Sequence, residues 1–114
     1  MKKQHYEIIK STDTLFVIIN GEHLYSAEDL YDILSVSLSF PEYFGRNLDA
    51  LYDMLTDLAW LPYDNVFVII KNADMFFSSL PELYEQLEEI FGNSIEAQTE
   101  NKTVKLFLSD IHSM

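Results

Sequence analysis

The chain has no cysteine, three glycines, three prolines and little positive charge, with seven Lys and Arg residues against nineteen Asp and Glu. Each shortage closes a class of chemistry. Without cysteine there is no disulfide, no thiolate nucleophile and no cysteine-ligated zinc, a composition that suits a reducing compartment. Gly21, Gly45 and Gly92 are too widely spaced to build a phosphate-cradling loop after a strand. His5, His23 and His112 are scattered, at no metal-ligand spacing and beside no nucleophile pattern. No run approaches the ~18 apolar residues of a membrane span, and residues 1–10 lack the apolar stretch and cleavage site of a secretory signal. The expectation is a cytoplasmic protein with no metal, no cofactor and no catalytic residues.

A length of 114 residues suits one domain over 1–114, with residues 1–13 as an extension of its own. A net charge of −12 repels nucleic-acid phosphates and anionic membranes and speeds encounter with basic partners. The same charge also serves plain solubility. Its distribution is more telling. Between Ser11 and Ile70 the only Lys or Arg is Arg46.

Leu15, Phe16, Val17, Ile18 and Ile19 form a continuous apolar run closed by Asn20 and Gly21. That reads as a strand buried on both faces and then a turn. Val66, Phe67, Val68, Ile69 and Ile70 read the same way, and residues 104–108 give a third strand. Residues 5–9 are a candidate edge strand. A helix starts after Ser26, with Asp29 in the capping-box position and Tyr25 and Leu30 spaced as a hydrophobic staple. Its apolar face is Leu30, Ile33, Leu34 and Leu38, and Pro41 ends it. A second helix, capped by Asn47, runs to about Leu58. After a short turn or helix beyond Asn72, a third long helix opens at Pro81, with Gly92 as its expected stop. The fold class that follows is α/β: a small three-stranded parallel sheet packed by helices, with a possible N-terminal edge strand.

Turned at ~100° per residue, the second helix puts Leu48, Leu51, Leu55 and Leu58 on one stripe. Asp49, Asp53 and Asp57 line up on the other side, with Tyr52 and Thr56 beside them. Like charges four residues apart cost about 0.2–0.5 kcal/mol per pair. This is either a solvated acidic face or one whose counter-charges come from a cationic partner. In the preceding loop, Tyr43 and Phe44 stand side by side before Gly45. One is expected to fold inward, and an exposed partner beside carboxylates has the composition of a binding hot spot.

The run Phe40-Pro41-Glu42-Tyr43-Phe44-Gly45-Arg46-Asn47-Leu48-Asp49-Ala50-Leu51-Tyr52-Asp53-Met54-Leu55-Thr56 resembles, without a gap, the signature of the barstar family. That resemblance implies an intracellular inhibitor, an antitoxin or immunity protein, that blocks the active site of a small basic barnase-like ribonuclease. It implies that Tyr43 packs on the nuclease, that Gly45 and Asn47 shape the loop and cap the helix, and that Asp49 and Asp53 enter the active site. Asp53 takes the place of a substrate phosphate, while Tyr52 and Thr56 make flanking contacts. Three departures stand out. Phe44 occupies a frequent tyrosine position, Tyr52 replaces a bulkier tryptophan, and Arg46 puts a cation where a basic enzyme should dock, implying an acidic spot on the partner. Glu96 and Glu100 are candidate secondary contacts.

Two other readings fit an acidic α/β chain. One is a barstar-like module for a different basic target, such as another toxin nuclease. The other is an acidic nucleic-acid mimic, which predicts activity spread over Glu82, Glu85, Glu88 and Glu89 instead of focused on one helix. Asp49 and Asp53 alone offer too few oxygen ligands for a divalent cation. A phosphoacceptor receiver domain needs a longer chain and an acidic cluster at the strand ends, where this sequence has Asn20, Lys71, Ser109 and Asp110. Nothing in the sequence fixes the oligomeric state.

Overall fold

A computed structural model describes residues 5–97 and 102–110. Strand β1 (Tyr6–Lys10) turns back into β2 (Thr14–Asn20), and a short 3-10 helix (Gly21–His23) leads to α1 (Ala27–Ser37) and α2 (Leu48–Asp57). Then come β3 (Asn65–Lys71), α3 (Ala73–Ser79), α4 (Pro81–Ala97) and β4 (Thr103–Leu108). The sheet order is β1-β2-β3-β4. β2, β3 and β4 are parallel, because helices carry the chain from the end of one to the start of the next. β1 joins β2 by a short turn and is antiparallel to it, so the expected edge strand is present.

The strands are not buried on both faces. Leu15, Val17 and Ile19 of β2, Val66, Val68 and Ile70 of β3, and Val104 of β4 are buried. They join one core with Leu30 and Leu34 of α1, Leu51 and Leu55 of α2, Phe76 of α3, and Leu87 and Phe91 of α4. The alternating residues Phe16, Ile18, Phe67 and Ile69 are half-buried and lie outside that core. All four helices therefore cover one face of the sheet, and its other face stays open. A run of apolar residues reports β structure, but it cannot report how many layers pack on the strand.

Three local expectations also change. Gly92 does not stop α4, which continues to Ala97. A glycine costs a helix about 1 kcal/mol relative to alanine, and this one is exposed, with nothing near it and no left-handed backbone to impose a stop. Tyr25 is no staple. It is 69% exposed with its hydroxyl 3.1 Å from His23 Nδ1, and Leu24 is buried instead. His5 and His23, far apart in sequence, stack with ring centroids 3.7 Å apart, whereas His112 lies outside the described residues. Asp29 does serve the start of α1, its carboxylate accepting from the Ser26 and Tyr25 N–H groups at 3.2 and 2.9 Å. Gly21 is demanded by crowding: a Cβ there would sit 2.7 Å from the Asn72 carbonyl oxygen. No helix among the described residues is long and apolar enough to cross a membrane.

Candidate functional site

Helix α2 is anchored from within and capped at both ends. Leu51, Leu55 and Leu58 are fully buried, as is most of Met54, while Leu48 is half-covered. Met54 falls beside the leucine stripe and widens the inward face to a breadth usual for a helix packed on a core. At the N-terminus, Asn47 Oδ1 accepts from the Ala50 N–H at 2.8 Å, and its Nδ2 donates to the Gly45 carbonyl at 3.2 Å. One amide thus satisfies an otherwise orphaned helix N–H and ties down the loop. At the C-terminus, Leu58 takes a left-handed conformation, φ 46°, and its N–H donates to the Met54 carbonyl.

With the leucines fixed inward, the opposite face has no choice of direction. Asp49, Asp53 and Asp57 are exposed, and Tyr52 and Thr56 are half-exposed between them. Among the described residues no cation pairs with Asp49 or Asp53. Thr56 donates its hydroxyl proton to the Asp53 carbonyl at 3.0 Å, which leaves the oxygen free to accept from outside. The face as a whole is built to accept hydrogen bonds, with a phenol as its one strong donor.

The preceding loop divides its two aromatics. Phe44 is 8% exposed and packs edge-on against Tyr31 and Phe40, with centroids 5.8 and 4.9 Å away. Tyr43 is 73% exposed. A phenylalanine suits the inward position because no hydroxyl there needs a partner. The left-handed residue of this turn is Arg46, φ 54°, and not Gly45, whose φ is ordinary. The loop's shape comes from the left-handed Arg46 and from the Asn47 amide, which donates to the Gly45 carbonyl.

Arg46 also loses the role expected from its charge. Its Nε and Nη2 donate to Glu28 Oε1 at 3.1 and 3.0 Å, and Nη2 also donates to Asp32 Oδ1 at 2.6 Å. The hydrogen bonds to Asp32 and then Glu28 push the guanidinium pKa higher still. This cation is satisfied within the chain and requires no acidic spot on a partner. Glu28 and Asp32 sit four residues apart on the exposed side of α1. That spacing, opposite the one Lys or Arg in a long stretch, was a usable signal that sequence reasoning left unread.

Beside α2 lies a shallow groove of about 350 Å³, lined by Leu48, Asp49, Tyr52, Gln86, Glu89 and Ile90. It joins the acidic face of α2 to α4. Gln86 was not singled out from sequence, and Glu89 was assigned only to a diffuse acidic surface. Glu82, Glu85 and Glu88 are exposed along α4. The side chain of Glu96 and the whole of Glu100 lie outside the described residues. No group of three or more His, Asp or Glu side chains among the described residues could hold a metal ion.

Comparison with known proteins adds two findings. The profile of the family described as Barstar (barnase inhibitor) matches residues 14–109. A protein of Bacillus subtilis (strain 168) with the name "Putative ribonuclease inhibitor YrdF" is 37% identical over 88 residues, covering 70% of this chain and 97% of that protein. The family match opens at the first residue of β2, so β1 lies outside it.

Proposed function

Because the chain belongs to the barstar family, we propose that it inhibits a small, basic, barnase-like ribonuclease by inserting the outer face of α2 and its preceding loop into the enzyme's active site. The observation that carries this reading is the pair of unpaired carboxylates, Asp49 and Asp53, held one turn apart on the exposed side of the helix that follows the loop bearing exposed Tyr43. A ribonuclease active site is cationic because it must bind a phosphodiester and stabilise its developing charge. A carboxylate fixed where the phosphate binds satisfies the same cations and shuts RNA out.

Each neighbour has a part. The packed leucines and the Asn47 cap hold Asp49 and Asp53 in one geometry before contact, so little ordering cost remains at binding. Tyr43 brings a large, rigid surface to the rim, and Tyr52 and the groove toward Gln86 and Glu89 extend the contact to α4. The net charge of −12 steers the cationic enzyme in from a distance. In a producing cell, this is the work of an antitoxin or immunity protein, done in the cytoplasm before the nuclease is exported.

The test is gel filtration with a small guanyl-preferring ribonuclease, followed by RNA cleavage across a salt series. A one-to-one complex, loss of cleavage and an association rate that falls steeply with salt are expected. Inhibition that survives Asp53→Ala but weakens gradually as Glu82, Glu85 and Glu88 are removed would instead mark a diffuse acidic mimic.

A further inference from the structure

The open face of the sheet is the largest feature that the inhibitor reading leaves unused. Register places two rows across it. One row is Ile9, Phe16, Phe67 and Lys105, and the next is Glu7, Ile18, Ile69 and Phe107. The rings of Phe16, Phe67 and Phe107 form a ladder over β2, β3 and β4, with centroids 5.6 and 5.8 Å apart. At the two edges Ile9 is 48% and Phe107 47% exposed. A contiguous apolar patch of this kind, rimmed by polar residues, marks an interaction surface.

Charge identifies what fits it. The molecule carries −12 overall, yet this face holds Lys105 on one edge strand, Glu7 on the other and Lys71 at the upper end. The repulsion that keeps copies apart elsewhere is absent here. A two-fold axis parallel to the strands, lying in the contact plane, puts β1 of one copy over β4 of the next. It stacks Phe16 on the other copy's Phe67 and Ile18 on its Ile69. Lys105 then lies over the other copy's β1, where Glu7 is two residues from the facing Ile9, within reach of a lysine stem. The face is complementary to itself because its unlike charges lie at opposite edges.

We propose that this chain forms a two-fold dimer by stacking the open faces of two sheets. Four strands at about 4.8 Å spacing and some five residues at about 3.3 Å each give a flat footprint of roughly 320 Å². A standard stable interface buries about 800 Å² per partner. The dimer is therefore weak. Strand β1, which supplies Ile9 and Glu7, lies outside the family match, so half of the charge pairing is carried by a segment beyond it. The α2 face is in the helix layer, on the far side of the sheet, and both copies keep it free.

Sedimentation velocity from about 10 µM to about 1 mM protein reads this directly. A concentration-dependent shift from monomer to dimer is expected. Phe107→Ser, Lys105→Glu and Glu7→Lys should each weaken it by about tenfold or more, and the double variant Lys105→Glu with Glu7→Lys should recover most of the loss. Lys105 and Glu7 are exposed, so neither change threatens the fold. A chain that stays monomeric to the top of the range overturns the proposal. So does a dimer indifferent to these substitutions, which would use another surface, or a double swap that fails to recover. None of these results bears on ribonuclease inhibition, which is read separately.

Discussion

Helices α1 and α2 present the same motif and treat it in opposite ways. Each packs leucines inward and holds carboxylates four residues apart on its outer side, Glu28 and Asp32 on α1 and Asp49 and Asp53 on α2. On α1 the carboxylates are closed by Arg46, the only Lys or Arg between Ser11 and Ile70. On α2 they are left open. Arg46 sits next to Asn47 and three residues from Asp49, yet its left-handed backbone turns the side chain toward α1. An acidic face is left without an internal counter-charge when the fold directs its own cations elsewhere, and charge count alone does not show which face that is.

The sharpest way to break the comparison is to delete one carboxylate from each helix and measure ribonuclease binding by calorimetry. Asp53→Ala should cost about 3–5 kcal/mol, because it strips the partner from cations the complex has buried. Asp32→Ala should cost less than about 1 kcal/mol. Equal losses would mean that total charge, not position, governs binding.

Folding stability gives the next contrast. Asn47→Ala should lower it by about 1 kcal/mol in urea unfolding, since the Asn47 amide caps α2 and ties the loop. Binding should weaken in step as the loop carrying Tyr43 loosens.

A smaller effect differs between the two helices. Asp32→Ala should leave the stability of the free protein nearly unchanged, because loss of its exposed Arg46 pair is offset by relief from Glu28 and by alanine's better helix propensity. Asp53→Ala should stabilise it by about 0.2–0.5 kcal/mol or slightly more, because Asp53 faces like charges on both sides and alanine is the better helix former. A gain in stability coupled to loss of binding is the mark of a surface arranged for a partner.

The least effect comes with pH. Burial first, and then Glu28, raise the Tyr31 hydroxyl above its usual pKa, against the opposing pull of Arg46. The folded state then binds more protons than the unfolded one at alkaline pH. The contribution of Tyr31 is intact below the unfolded tyrosine value of about 10 and is lost as pH rises through the higher folded value. Thermal melts should show Tyr31→Phe losing less stability above that point than the parent. An identical alkaline decline would remove Tyr31 from the explanation.

Much of α2 was legible in the sequence because every signal it uses is local. The leucine stripe, the Asn47 cap and the outward carboxylates all follow from one helical period within a dozen residues. The division of labour between Tyr43 and Phe44 was half legible: adjacency implied that one ring turns in, but only the packing of Phe44 on Tyr31 and Phe40 decided which. The stop expected at Gly92 failed because a single exposed glycine costs too little to end an otherwise continuous helix.

The sequence by itself determined which segments are strands and helices, which side of α2 must face inward, and that the chain is strongly acidic. Those are consequences of periodicity and composition, and they need no knowledge of distant neighbours. Only the tertiary structure decided that one face of the sheet stays uncovered, that Arg46 belongs to Glu28 and Asp32, and that Gln86 and Glu89 border the α2 face. Each of these joins residues far apart in the chain, and which distant surfaces meet is set by how the layers pack.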